Sequence, residues 1–388
     1  MSSILGTYAR KNISFKEGKG TFLYTEDGDK YLDWVAGIAT NILGHCHPHV
    51  IKAIQDQSKK LIHVSNAFII QEAEHLAKRL TDNTFADKVF FCNSGAESVE
   101  GSIKIVRKYF HKIGKLGKNR IISFSGAFHG RTLSALFLAN NKSHTEGFGP
   151  KVEGFDQVAF ADHEGLKKAI NKNTAAIIVE PIQGEGGIRI LPDYCLKGLR
   201  EICDNHGILL ILDCVQTSFR TGSLFGFENS GISPDICCVA KGFGNGFPIG
   251  AILLTNEVSK GMSQGSHGST FGNNLLACAA AHAVLDIVLA KDFFERVKTK
   301  CKYFDKYLKK LKNGFPKIIE EVRGVNFIRG LKLKVDNNDF MSKLMKHKLL
   351  VVKASENCIR LFPSLLSTTE ELDMGLEIIK NVCEEYKD

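Results

Sequence analysis

No stretch of the 388-residue chain comes near the ~20 uninterrupted apolar residues of a membrane-spanning helix, so no bilayer crossing is expected. The first residues, MSSILGTYARKNISF, lack the long apolar run of a secretory signal. Their two basic residues and single Ser-Ser pair are too little for an organelle transit peptide. Low-complexity segments and internal repeats are absent, and so is any CxxC pair. The eleven cysteines are scattered and odd in number. Cys92, Cys203, Cys237 and Cys278 lie in apolar stretches, where a free thiol behaves as a small hydrophobe. This usage points to a reducing, cytoplasmic setting. No GxGxxG follows the first strand-like run, which argues against a dinucleotide-binding module. HCHPH at 45–49 has no second ligand cluster beside it, so it reads as a turn closed by Pro48 and no metal is expected.

What is there is the composition of an ordinary globular protein, 44% hydrophobic and 24% charged, with a net charge of +9. The densest basic run, 295–312, is an amphipathic helix: Val297, Cys301, Phe304, Leu308 and Leu311 repeat at helical spacing, leaving the lysines on a solvated face. With no nucleic-acid motif beside it, neither nucleic acid nor membrane is an expected partner, whereas a basic surface attracts anionic small molecules. Short apolar runs at 88–92, 120–124, 175–179, 208–212, 236–240 and 250–254 alternate with helical patterns such as 95–112 and 193–206. This predicts an α/β fold, a mostly parallel sheet covered on both faces, with functional residues at the carboxyl ends of its strands. From about 316 the order becomes strand, strand, helix (338–348), strand (349–353), strand (358–362), helix (368–387), an α+β pattern suited to a smaller lobe. A hairpin turning at Asp27-Gly28 is expected to join that lobe. The domains expected are an N-terminal segment at 1–45, a large domain at 46–290 and a small domain at 291–388.

Several strand ends carry polar residues. After 88–92, Asn93-Ser94-Gly95-Ala96 opens a helix whose free N–H groups make a seat for phosphate, although many such starts serve stability alone. Asp213 follows five consecutive apolar residues, as an N-cap or buried ion-pair member also would. Phe128, His129 and Arg131 follow another strand, able to stack on a flat ring and clamp a carboxylate, or simply to anchor a loop. Lys241 lies between the apolar run 236–240 and glycines 242, 244 and 246, where an ammonium is costly and its pKa falls. An amine so placed is a nucleophile toward an aldehyde. Pyridoxal phosphate needs such a lysine, a carboxylate at its pyridine nitrogen, a phosphate seat and often a stacking aromatic. Lys241, Asp213, Gly95-Ala96 and Phe128 supply all four.

The motifs YLDWVAGIATNILGHCHP (31–48), FCNSGAESVEGSIKIVRKY (91–109), AFHGRT (127–132), VEPIQGEGG (179–187), LDCVQT (212–217), AKGFGNGFPIGA (240–251) and HGSTFGNN (267–274) occur in the order of a known family. From about residue 8 to 383 the chain resembles the class III (subgroup II) pyridoxal-phosphate aminotransferases of fold type I. The resemblance implies a large domain with a seven-stranded-type sheet and a smaller α+β domain from the two chain ends. It implies that Lys241 is the Schiff-base lysine, Asp213 the partner of the pyridine nitrogen and Gln216 that of the ring hydroxyl. Val215 would pack on the ring face opposite Phe128, and Gly95 and Ala96 would offer N–H groups to the phosphate. Thr270 would reach the phosphate in the neighbouring subunit of a homodimer. Arg131 and Ser269 match substrate-binding positions, Arg131 taking a carboxylate, while Glu185 and Arg360 match a gate that separates two half-reactions. The activity implied is ping-pong transfer of the terminal amine of N2-acetyl-L-ornithine to 2-oxoglutarate, giving the semialdehyde and L-glutamate.

The chain also departs from that pattern. The usual Asp-Glu-Val-Gln-Thr-Gly-x-Gly-Arg-Thr-Gly is DCVQTSFRTG at 213–222, one residue shorter before Arg220, with Cys214 for an acid and Ser218 for a glycine. Asn245 stands where glycine is common, and Leu275 where proline is. Because Asp213 and Gln216 precede the deletion, only the rim is expected to change, with Phe219 packed inward or covering the site edge and Arg220 arriving by another path. Ornithine aminotransferases carry a tyrosine near 36–40 that this chain lacks, which favours an acylated substrate. Succinyl-diaminopimelate, ornithine or another ω-amine, and a cofactor-binding protein without turnover, stay as alternatives.

Overall fold

The computed structural model describes residues 3–386; positions 1, 2, 387 and 388 of the expected terminal segments lie outside the described residues. Three short strands open the chain: β1 (Phe15–Lys19), β2 (Phe22–Thr25) and β3 (Lys30–Asp33). The expected hairpin is β2–β3, and Gly28, at φ 83°, makes the turn that Asp27-Gly28 announced. The central strands are β4 (Lys88–Cys92), β5 (Arg120–Phe124), β6 (Phe155–Val158) and β7 (Thr174–Val179). After a small ribbon, β8 (Ile182–Gln183) and β9 (Arg189–Ile190), come β10 (Leu209–Asp213), β11 (Ile236–Val239) and β12 (Gly250–Leu254).

Seven of these form one sheet in the order β4-β12-β11-β10-β7-β5-β6. β7, β10, β11, β5 and β6 pair in parallel, and β12 runs antiparallel to both its neighbours. Every residue of β7, β10, β11 and β12 is buried, because helices cover both faces and polar alternation has no solvent to meet. All six expected strands are present. β6 has no counterpart in the reading: its FDQV is half polar, as suits an edge strand open to solvent on one side.

Beyond the helix Phe293–Gly314, whose Val297, Cys301, Phe304, Leu308 and Leu311 are buried as the spacing predicts, the chain forms β13 (Ile319–Val325) and β14 (Ile328–Leu333). The helix Asn337–Lys346 follows, then β15 (Leu349–Leu350), β16 (Val352–Ala354) and β17 (Cys358–Leu361), and last the helix Thr369–Glu384. The sheet β13-β14-β17-β16 is antiparallel throughout. β15 leaves it to pair in parallel with β3, which brings the N-terminal hairpin into register with this C-terminal segment.

The HCHPH stretch is structural in a different way from a closed turn. Pro48 is the first residue of the helix Pro48–Ser58, where its fixed φ fits, and His47 caps that helix. His45 bonds Asp33 at 2.7 Å and His49 bonds Asp286 at 2.7 Å. Among the described residues no cluster of three potential metal ligands occurs, and no helix is long and apolar enough to cross a membrane. All eleven cysteines are free thiols, ten of them buried.

Just before this stretch, Ala36, Gly37, Ile38 and Ala39 have φ of 47°, 62°, 60° and 68°. Four successive residues in that region make one turn of left-handed helix. Such a turn costs about 1–2 kcal/mol for each L-residue in it, so the surroundings must hold it in place.

Candidate active site

Five strands release their chains at the same edge of the sheet, and the residues just after them line one cavity of about 430 Å³. β4 delivers Asn93 and Ser94 and then the helix Gly95–Lys112. The Ser94 side chain caps it by accepting from Glu97 N–H at 3.2 Å. Gly95 and Ala96 line the cavity, and their first-turn N–H groups have no intrahelical acceptor. β5 delivers Phe128, His129, Gly130 and Arg131; β7 delivers Glu180 and, through the β8 ribbon, Glu185. β10 ends on Asp213, followed by Val215 and Gln216, and β11 leads through Ala240 to Lys241.

Asp213 is buried, and two groups aim its carboxylate. His129 Nδ1 lies 2.8 Å from Oδ2, and Val215 N–H donates to Oδ1 at 3.0 Å. Burial works against a charged His129, but the bond to Asp213 and the charges of Asp213 and Glu180 outweigh it and hold the imidazole above its usual range. Burial pushes the Glu180 carboxyl up to about 7, and its oxygens accept from Phe128 N–H at 2.9 Å and Gly184 N–H at 3.4 Å. Glu180 thereby braces the aromatic wall and the start of the gate loop together. For Lys241, burial pushes the ammonium below its ordinary value, against the opposing charge of Asp213. A larger share of neutral amine is the form a nucleophile needs.

At the mouth, Arg131 is exposed, with its guanidinium 5.3 Å from the Phe128 ring centre. Deeper in, Glu185 Oε1 and Arg360 Nη1 form an ion pair at 2.6 Å, and Arg360 also donates to Lys353 O at 2.8 Å. Of the residues singled out in the sequence, Lys241, Asp213, Gly95, Ala96, Phe128, Val215, Gln216, Arg131 and Glu185 line the cavity, and Arg360 reaches it through Glu185. Ser269 and Thr270 do not line it. Ser269 Oγ accepts from Asn93 Nδ2 at 3.1 Å, and Thr270 is exposed on the protein surface.

The shortened loop packs inward. Phe219 is buried at φ 65°, its N–H donating to Leu224 O at 2.8 Å. Arg220 is fully buried and donates to Phe327 O at 3.2 Å, Pro363 O at 2.9 Å and Ala39 O at 3.5 Å. Three residues of the site had no role in the sequence reading. His129 was noticed only as part of a loop, Glu180 stands at a strand end like the others, and Thr40 reaches the wall from the left-handed turn.

The donor set fits pyridoxal phosphate on two counts. Gln216 Oε1 is buried and has no hydrogen-bond partner among the described residues. A Cβ at Gly95 would come 2.6 Å from Val215 Cγ1, so the phosphate-seat helix and the wall residue approach as closely as glycine permits.

A sequence model of the class-III aminotransferases matches residues 7–383. The acetylornithine aminotransferase of Agrobacterium fabrum is 50% identical over 374 residues, 96% of this chain and 94% of that protein. Among solved structures, the ornithine aminotransferase of Toxoplasma gondii, with partially occupied PLP in its active site, superposes with a TM-score of 0.95 at 30% identity, covering 100% of this chain and 94% of that one. The N-acetylornithine aminotransferase of Stenotrophomonas maltophilia gives a TM-score of 0.85 at 32% identity, covering 98% of each chain.

Proposed function

The chain belongs to the class-III aminotransferase family, with pyridoxal 5'-phosphate as its cofactor, and from that premise we propose that it moves the terminal amine of N2-acetyl-L-ornithine to 2-oxoglutarate. The observation that carries the substrate class is the pair of arginines: Arg131 open at the cavity mouth, Arg360 masked by Glu185 at 2.6 Å. One exposed guanidinium, its Nη2 3.4 Å from His144 Nε2, suits a donor with a single carboxylate. Turning Glu185 away would expose a second, for the dicarboxylate acceptor. The bound cofactor supplies an aldehyde for the incoming amine and a protonated ring that takes up an electron pair. Lys241 would hold the aldehyde between turnovers and, once released, carry the proton between the two carbons involved. Asp213, oriented by His129, would sit at the ring nitrogen and keep it protonated. Gln216 would bond the ring hydroxyl, Phe128 and Val215 would flank the ring, and the Gly95 and Ala96 N–H groups would hold the phosphate. The test is a donor panel with 2-oxoglutarate as acceptor, comparing N2-acetyl-L-ornithine, N-succinyl-diaminopimelate, L-ornithine and 4-aminobutyrate. The reading requires kcat/KM to be highest for the first.

Arg131→Lys should raise the donor KM by about tenfold or more, since a lysine cannot reproduce two parallel guanidinium–carboxylate bonds. The visible absorption of the bound cofactor should stay as in the wild type. Equal use of acetylornithine by the Lys variant would remove Arg131 from the donor site.

The active unit we propose is a homodimer in which Thr270 and Ser269 serve the neighbouring site. Supporting this, Thr270 lies beside exposed Phe271, and Asn66 bonds the backbone of Ser269 and Gly272 next to exposed Phe68 and Ile69. These large apolar side chains form a surface suited to a second copy. Mixing Thr270→Ala with Lys241→Ala subunits should recover activity in heterodimers, because one of the two sites is then intact. Heterodimers without activity would place the phosphate seat within one chain. The free thiols suit the reducing cytoplasm we assign to the protein.

A further inference from the structure

The left-handed turn ends on Thr40, which lines the cavity, and the chain from 36 to 44 then runs as a strap against the loop that carries Lys241. The two are in close contact. A Cβ at Gly242 would come 2.7 Å from Ile42 Cγ2, and one at Gly246 would overlap Asn41 Oδ1. Between these glycines stands Asn245, buried and itself left-handed at φ 47°. Its N–H closes the turn Lys241–Gly244 by donating to Gly242 O at 3.2 Å. Its side chain reaches the other way: Oδ1 accepts from Leu43 N–H at 2.8 Å, and Nδ2 donates to Gly44 O at 3.0 Å. One residue therefore satisfies a donor and an acceptor of the strap while its backbone belongs to the lysine loop.

We propose that Asn245 is a positioning residue for donor recognition: its two side-chain bonds clamp the strained strap to the lysine loop and so fix the Thr40 wall of the cavity. In this chain the strap has such a clamp. Ala36, Ile38 and Ala39 hold a backbone conformation they would leave if free, and a buried amide pair is an anchor that resists that relaxation. The last residue of the turn has its own tether, the Ala39 carbonyl at 3.5 Å from Arg220 Nε. Between the two tethers Thr40 has no freedom to withdraw, and its hydroxyl bonds back to Ala36 O and Gly37 O, both at 3.2 Å. Thr40 lines the same cavity as Glu185, Phe247, Pro248 and Ile249. A wall that moves changes how tightly the non-reacting part of the donor is held, and leaves the chemical step at Lys241 largely intact.

The proposal rests on the amine-transfer reading, and its test separates the two. Asn245→Gly keeps the left-handed backbone accessible, so the variant is expected to fold, but it removes both strap bonds. In the holoenzyme, hydrogen exchange at the Leu43 amide should accelerate at least about tenfold while the sheet amides of 209–213 stay as in the wild type. The KM for acetylornithine should rise about tenfold with kcat within about twofold, and preference over L-ornithine should narrow. Asn245→Asp keeps the acceptor for Leu43 N–H but sets a buried carboxylate oxygen against Gly44 O, so it should loosen the strap at least as much as Asn245→Gly. Unchanged exchange at Leu43, exchange accelerated equally throughout the protein, or a fall in kcat at constant KM would each overturn the clamp. If wild-type protein uses neither donor, the amine-transfer reading fails, and the exchange comparison still decides whether Asn245 holds the strap.

Discussion

Lys241→Ala is expected to lower turnover by at least about 10³-fold, the scale on which removing a group that acts in the chemical step is felt. The reason lies in its position. β11 is buried on both faces, and the chain leaves it through Ala240 into a residue with φ 50°, so the Lys241 amine is set into the cavity. Burial there lowers its pKa and raises the share of neutral amine. Borohydride reduction of the wild-type holoenzyme should fix the cofactor to Lys241, and mapping of the labelled peptide checks it. The Ala variant should show no such label while keeping its fold, because the side chain contributes no hydrogen bond to the sheet.

Asp213→Asn should cost about 10²–10⁴-fold in kcat, comparable to losing a preorganised charge or a proton-transfer group elsewhere. The amide keeps the size of the carboxylate and one acceptor for either Val215 N–H or His129. It removes the negative charge that outweighs burial at His129 and that would keep the ring nitrogen protonated. Two readouts check this. The half-reaction with donor alone should slow in proportion to kcat, and cofactor affinity should change by far less. An Asn variant with wild-type kcat would remove Asp213 from the chemistry and leave it a loop anchor.

Much of this site was legible in the sequence because parallel sheets impose a simple rule. Strands buried on both faces read as continuous apolar runs, so their ends are visible, and polar residues just past those ends stand out. Asp213 after ILLIL and Lys241 after ICCVA are found this way without any structure. The deletion after Gln216 was readable too, and Phe219 packs inward. Other parts were not readable for physical reasons. β6 is an edge strand whose half-polar pattern resembles a loop. His129 gains its role only from Asp213, a partner 84 positions away that no local pattern reveals. The left-handed turn at 36–39 is invisible because three of its four residues are ones that favour right-handed backbone, so its conformation is imposed by Arg220, Asn245 and the surrounding packing. The amide of Asn245, noted only as an unusual residue in a glycine-rich loop, becomes a clamp once Leu43 and Gly44 are seen beside it.

The most direct test of the whole account is a single half-reaction. Holoenzyme is mixed with excess N2-acetyl-L-ornithine and no acceptor, and the aldehyde product and cofactor absorption are followed together. The account predicts one equivalent of N-acetylglutamate 5-semialdehyde per site, a matching loss of the visible band, and return of that band on adding 2-oxoglutarate. A cofactor band that acetylornithine leaves untouched, with no aldehyde released, would contradict it.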